Sequence, residues 1–133
     1  MAASHFLYRY YVNHINDVTP YFTVSDANEL IAFMSKVFST NLIKCDRYED
    51  GTIQHARLRL GDSVIMLNEA NSTYSANKSQ MHVYLENVER TYNLALAEGA
   101  RSIMSPMVRP HGDLMAGFED PFGNTWWIAQ RKV

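Results

Sequence analysis

A chain of 133 residues, 47% hydrophobic and 20% charged, has room for one compact domain or two half-domains sharing a core. Its net charge of −2 leaves no electrostatic footprint for nucleic acid or an anionic membrane surface. The single cysteine, Cys45, excludes an intrachain disulfide and a cysteine-cluster zinc site, and no apolar run approaches the ~20 residues of a membrane helix, so a cytoplasmic location is expected.

Residues 1–17 form a leader with aromatics at Phe6, Tyr8, Tyr10 and Tyr11 but no continuous apolar stretch, which excludes a signal peptide. Alternation of Phe6, Tyr8 and Tyr10 with Leu7 and Arg9 suits a short strand or packed arm; a disordered leader is the plain alternative. Val18–Val24 reads as a strand, with Pro20 at its start or on an edge. Asp26 is placed to cap a helix and Glu29 to complete a capping box; Leu30, Ile31, Phe33, Met34, Val37 and Phe38 follow at helical spacing. Leu42–Tyr48 and Thr52–Leu60 are strands joined across Asp50-Gly51, and Gly61-Asp62 turns tightly into a strand over Ser63–Glu69. Asn71–Ser79, rich in Asn, Ser, Thr and Lys, is a linker.

The pattern then restarts. A strand over Met81–Glu86 leads to a cap at Asn87 and a helix over Val88–Glu98, with Gly99 placed to stop it. A short strand over Arg101–Met104 and a loop over Ser105–Gly112, holding two prolines, precede strands over Asp113–Glu119 and Thr125–Gln130. Asp120-Pro121 and Gly123-Asn124 are turn chemistry feeding the last strand, with Asp120 capping its own backbone. Val24-Ser25-Asp26 matches Leu85-Glu86-Asn87 at an offset of 61, and Gly61-Asp62 matches Gly123-Asn124 at 62, which indicates an internal duplication. The expected architecture is α+β: two tandem βαβββ modules, residues 18–70 and 80–133, joined by the linker 71–79.

A two-residue turn at Gly61-Asp62 pairs Leu60 with Ser63, Leu58 with Ile65, Arg57 with Met66 and His55 with Asn68, and opposed residues share a sheet face. Ala56, Leu58, Leu60, Ile65 and Leu67 then make an apolar face for the helix, leaving His55, Arg57, Arg59, Val64, Met66 and Asn68 on the other. By the same alternation Phe22 and Val24 lie on the helix side, and Thr19, Tyr21 and Thr23 face away. Met81, Val83, Leu85, Trp126 and Ile128 lie on the helix side of the second module, and Gln80, His82, Tyr84, Thr125, Trp127 and Ala129 face away. The second face of each module is rich in Tyr, Trp and Met, which points to a concave, partly wet pocket.

Four stretches carry a family resemblance: residues 18–26, 55–67 and 82–88, and Gly112-Asp113 followed by Asp-Pro-Phe-Gly-Asn-Thr-Trp-Trp-Ile-Ala over 120–129. In this order, with the duplication, the chain resembles the vicinal oxygen chelate superfamily of glyoxalase I, bleomycin-resistance proteins and extradiol dioxygenases, and within it the PhnB-like branch. The resemblance implies curved sheets forming a cleft, usually in a homodimer whose modules pair within a chain or are exchanged between chains. It also implies metal-ligand positions on the first and last strands of each module, which fall at Thr19, Met66, Gln80 and Trp127. None is a good ligand for a divalent metal, and a one-residue slip to Pro20, Ile65, Leu67, Met81 or Trp126 does no better. No metal or other cofactor is therefore expected.

His55 and His82, both on the cavity face, are candidates for a substitute metal pair or for proton transfer; hydrogen bonding across the cleft or to a partner strand is the plain reading. Arg57 and Arg59 suit an anionic ligand group, or are rim residues held by Glu69 or Glu119. Trp127, Tyr21, Tyr84 and Met66 suit the stacking of an aromatic ligand, or a core or dimer-interface cluster. His111-Gly112-Asp113 stands in a loop long enough to cap a pocket, or His111 is a surface turn residue, and Cys45 reads as structural. The leading expectation is a metal-free homodimer binding a small aromatic or heterocyclic molecule between modules through Tyr21, His55, Arg57, Met66, His82, Tyr84 and Trp127, for sequestration or resistance. The rivals are a lyase, isomerase or oxygenase built on His55 and His82, and a partner-binding module docking through its aromatic leader.

Overall fold

The computed structural model describes residues 14–131, so the expectations for Phe6, Tyr8, Tyr10 and Tyr11 lie outside the described residues. The chain runs β1 (Tyr21–Val24), α1 (Ala27–Phe38), β2 (Asn41–Arg47), β3 (Ile53–Leu60), β4 (Ser63–Glu69), β5 (Gln80–Tyr84), α2 (Val88–Ala97), β6 (Arg101–Val108), β7 (Leu114–Glu119) and β8 (Thr125–Gln130). Two four-stranded sheets form, ordered β1-β4-β3-β2 and β5-β8-β7-β6. This is the duplicated βαβββ architecture expected from the sequence.

The duplication extends to single hydrogen bonds. β1 pairs parallel to β4 with Tyr21 opposite Met66, and β5 pairs parallel to β8 with His82 opposite Trp127, so each residue of one pair stands 61 residues before its counterpart in the other. The side chains of Asp26 and Asn87 cap the two helices by accepting from the N–H groups of Glu29 and Arg90. A second orphan donor in each first turn is satisfied from the sheet, because Ala27 N–H donates to Glu69 at 3.0 Å and Val88 N–H to Gln130 at 2.9 Å. Glu69 and Gln130 end the last strands of their modules, so these bonds tie each helix start to its own sheet.

The expected hairpin register holds: Leu60 is opposite Ser63, Leu58 opposite Ile65 and Arg57 opposite Met66. The first module differs at its front, where Val18, Thr19 and Pro20 precede a strand that begins only at Tyr21. The second differs at β6, which continues through Pro106 to Val108 where a loop is expected. β6 is the edge of its sheet, and its pairing with β7 shifts register between Met104 and Met107. An edge position and a bulge both accommodate a residue that has no N–H to donate. At the opposite edge of the first sheet, Asn77 of the linker exchanges hydrogen bonds with Thr23, covering the free side of β1.

The helix-side faces of both modules meet in one core. Phe22 of β1 stacks on Trp126 of β8 with ring centroids 5.6 Å apart, and Phe38 of α1 lies 4.8 Å from the same indole. Phe118 of β7 packs against Phe33 and Phe38 of α1. Each large side chain removed from water here contributes about 1.5–3 kcal/mol, so the modules are held together by a shared aromatic centre as well as by the linker. Cys45 packs against this core, in keeping with a structural role. No helix among the described residues is long and apolar enough to cross a membrane.

Candidate functional site

With the helix sides spent on the core, the mixed polar and aromatic faces of the two sheets lie outside it. Each carries its own depression. Tyr21, Thr23, Tyr48, His55, Asn68 and Tyr74 line one on the first module, with a volume of about 470 Å3. His82, Met104, Arg109, His111, Met115 and Trp127 line another of about 550 Å3 on the second. Of the seven expected binding residues, Tyr21 and His55 line the first depression and His82 and Trp127 the second, whereas Tyr84 lies at the seam between modules, where His82 also lines a hollow. A hollow of about 530 Å3 also follows the seam between modules, walled by Phe38, Leu60, Val83 and Leu94. Neither His55 nor Trp127 lines it.

On the first module, register places Lys44, Arg57, Met66 and Tyr21 in one row across the sheet, with Asp46 opposite His55 in the next. The Tyr21 and His55 rings are 6.0 Å apart. Burial, then the charge of Arg57, holds the His55 imidazole below the ordinary histidine range, with Asp46 pulling the other way. Burial also raises the Tyr21 phenol, helped by Tyr74 and Tyr48. Glu69 accepts from the first turn of α1 at Ala27, and Glu119 pairs with Arg101. Among the described residues the buried Nε of Arg57 has no hydrogen-bond partner.

The second module is organised around Trp127. β-strand alternation sends Trp126 into the core, 1% exposed, and Trp127 to the opposite face. The indole of Trp127 lies against Gly117, its neighbour across the β7–β8 ladder; a Cβ there would stand 2.4 Å from Cζ3 and 2.6 Å from Cε3. Trp127 Nε1–H donates to Gln80 Oε1 at 2.9 Å. The ring is therefore fixed by a glycine at its back and a hydrogen bond at its edge, and it lines an open depression beside two methionines. Gly117, Met104 and Met115 are not among the site residues expected from the sequence; a lone glycine inside a strand pattern is the one signal that marks such a close approach.

The loop 109–113 forms the rim. Arg109 N–H donates to the Asp113 carbonyl, Gly112 N–H donates to the Arg109 carbonyl, and Gly112 takes φ 102°, which favours glycine. Asp113 is buried, and its carboxylate accepts from the Tyr84 hydroxyl at 3.0 Å and lies 3.4 Å from His111 Nε2. That hydrogen bond, with the charge behind it, raises the Tyr84 phenol above its ordinary value. Tyr84 is also in edge contact with His82, ring centroids 4.8 Å apart, and Arg131 sits 4.0 Å over its ring. His111 is thus tied to the buried anchor of its loop as well as exposed at the tip.

The residues at the family's metal positions do not fit a divalent ion. The Thr19 hydroxyl donates to the Asn16 carbonyl at 3.3 Å, Met66 offers a thioether, and the Gln80 oxygen is taken by Trp127, which has no lone pair to give. No group of three or more His, Cys, Asp or Glu side chains that could hold a metal occurs among the described residues.

Comparison with known proteins agrees with the fold. An uncharacterised protein of Mycobacterium bovis is 27% identical over 124 residues, covering 85% of this chain and 82% of its own. TioX from Micromonospora sp. ML1 superposes with a TM-score of 0.72 at 20% identity, covering 89% of this chain and 98% of its own. The PhnB protein of Bacillus cereus superposes with a TM-score of 0.71 at 18% identity, covering 87% and 100%. At these identities the two structures share the fold. The family model described as Glyoxalase/Bleomycin resistance protein/Dioxygenase superfamily matches residues 11–128, and the chain belongs to that superfamily.

Proposed function

We propose that this protein binds a small planar aromatic or heterocyclic molecule, without a metal, on the Trp127 face of its second module. The observation that carries the reading is the fixed indole: Gly117 behind it, Gln80 at its edge, and an open depression with Met104 and Met115 beside it. A ring held this way loses little conformational freedom when a ligand stacks on it, and methionine sulfur is a soft, adaptable neighbour for an aromatic edge. Sequestration in the cytoplasm is the use this suits, because the donor set at the family's metal positions is unsuited to metal chemistry.

The other expected binding residues belong to the same reading through a second copy of the chain. Tyr21, His55, Arg57 and Met66 lie on the first module's outer face, and His82 and Trp127 on the second's. Gathering both faces in one cleft calls for a homodimer in which the first module of one chain meets the second module of its partner.

The test is calorimetric titration of the full chain with 2-naphthamide, a neutral flat probe. Saturable binding is expected, weakened about five- to tenfold or more in Trp127→Ala and retained in part by Trp127→Phe, as aromatic stacking is worth about 0.5–1.5 kcal/mol beyond burial. Metal analysis of protein purified without chelators is expected to show substoichiometric metal. Binding indifferent to Trp127→Ala, no binding, or a stoichiometric divalent ion would overturn the proposal.

A further inference from the structure

The charged groups around Trp127 narrow the ligand class, an inference that rests on the binding reading above. The depression is lined by His82, Met104, Arg109, His111, Met115 and Trp127, together with Pro110, and no carboxylate is among them. Arg109 contributes a permanent cation, and two imidazoles stand beside it. The guanidinium of Arg109 contacts the Met107 thioether at 3.6 Å.

The acid nearest in sequence is withdrawn from the depression. Asp113 is 8% exposed and directs its carboxylate to the Tyr84 hydroxyl on β5 and to His111. That anchor also positions the arginine, since the loop closes through the Arg109 N–H to Asp113 carbonyl bond at 2.9 Å. A guanidinium on a short braced loop, beside an apolar aromatic floor in a depression whose lining holds no carboxylate, favours an anion at the edge of the stacked ring. We infer that the Trp127 depression takes a planar aromatic acid, its ring on the indole and its carboxylate on Arg109. Neutral and cationic rings of the same shape are discriminated against, because a cation there meets like charge and a neutral group forgoes the charge-assisted bond.

The experiment compares three naphthalene probes of one shape at neutral pH against the full chain: 2-naphthoate, 2-naphthamide and 2-naphthylmethylammonium. The acid is expected to bind about tenfold or more tightly than the amide, with the ammonium weakest. Arg109→Met is expected to bring the ratio of acid to amide affinity close to one, and Arg109→Lys to keep much of the preference; circular dichroism confirms that both variants fold. Rising salt is expected to weaken the acid more than the amide. Equal affinity for acid and amide, tightest binding of the ammonium, or a ratio unchanged in Arg109→Met would overturn the charge assignment while leaving the stacking platform standing. Failure of all three probes to bind would instead overturn the platform reading, and this inference with it.

Discussion

Replacing Gly117 by alanine tests how Trp127 is held. The added Cβ would lie 2.4 Å from Cζ3 and 2.6 Å from Cε3 of the indole, whereas carbon atoms settle at about 3.5–4.0 Å. The ring must therefore retreat by about 1 Å or more. Such a shift stretches the 2.9 Å bond from Trp127 Nε1 to Gln80 beyond useful range. Overpacking costs about 1–3 kcal/mol and the lost hydrogen bond about 0.5–1.5, offset by about 0.5–1 from replacing a flexible strand glycine. A net destabilisation of about 2 kcal/mol is expected in urea unfolding, together with weaker binding of 2-naphthamide. In a Trp127→Ala background the clash is gone, so Gly117→Ala should cost far less there. A Gly117→Ala protein as stable as the parent, or the same cost in both backgrounds, would refute the packing argument.

Three further outcomes follow from the fold. Asp120 is 3% exposed and its carboxylate accepts from Phe122 N–H, Asn124 N–H and Trp126 Nε1–H; Asp120→Ala should cost about 3–4 kcal/mol in chemical denaturation, and a loss under about 1 kcal/mol would contradict its role as the hub of the last turn. The depressed pKa of His55 means the unfolded chain binds its proton first, so stability present above about pH 6.5 is lost as pH falls through the folded value. NMR titration should find His55 protonating below the ordinary range, and His55→Gln should flatten that acid-side loss; an ordinary or raised titration would reverse the sign. Ser39 ends α1 at φ 54°, and Ser39→Gly should stabilise the protein by about 0.5–1 kcal/mol if that left-handed cap is strained, as calorimetry would show.

The duplicated fold is legible in the sequence because its signals are local. Gly61-Asp62 sets a two-residue hairpin, and the register of β3 on β4 follows from it by counting. Alternation within Trp126-Trp127 likewise separates a core indole from a surface one. β6 reads too short because Pro106 resembles a loop signal, and only an edge position with a register shift makes room for it. The carboxylate and amide that reach back to Ala27 and Val88 are not legible, as each acts 42 residues away in sequence. The same holds for the site. Trp127 is visible from its strand, but the Tyr84–Asp113 anchor joins elements 29 residues apart, and nothing in either segment announces the other. Nor does alternation show that the helix sides of both modules share one core, which divides the expected binding residues between two faces.

The protein contains two tryptophans, one in the core and one against the depression, and this makes a built-in control. In a 1H–15N spectrum of the full chain titrated with 2-naphthamide, the Trp127 indole N–H resonance should shift and saturate while that of buried Trp126 stays in place. Saturable binding that leaves the Trp127 indole resonance unmoved would contradict the claim that this ring is the protein's ligand platform.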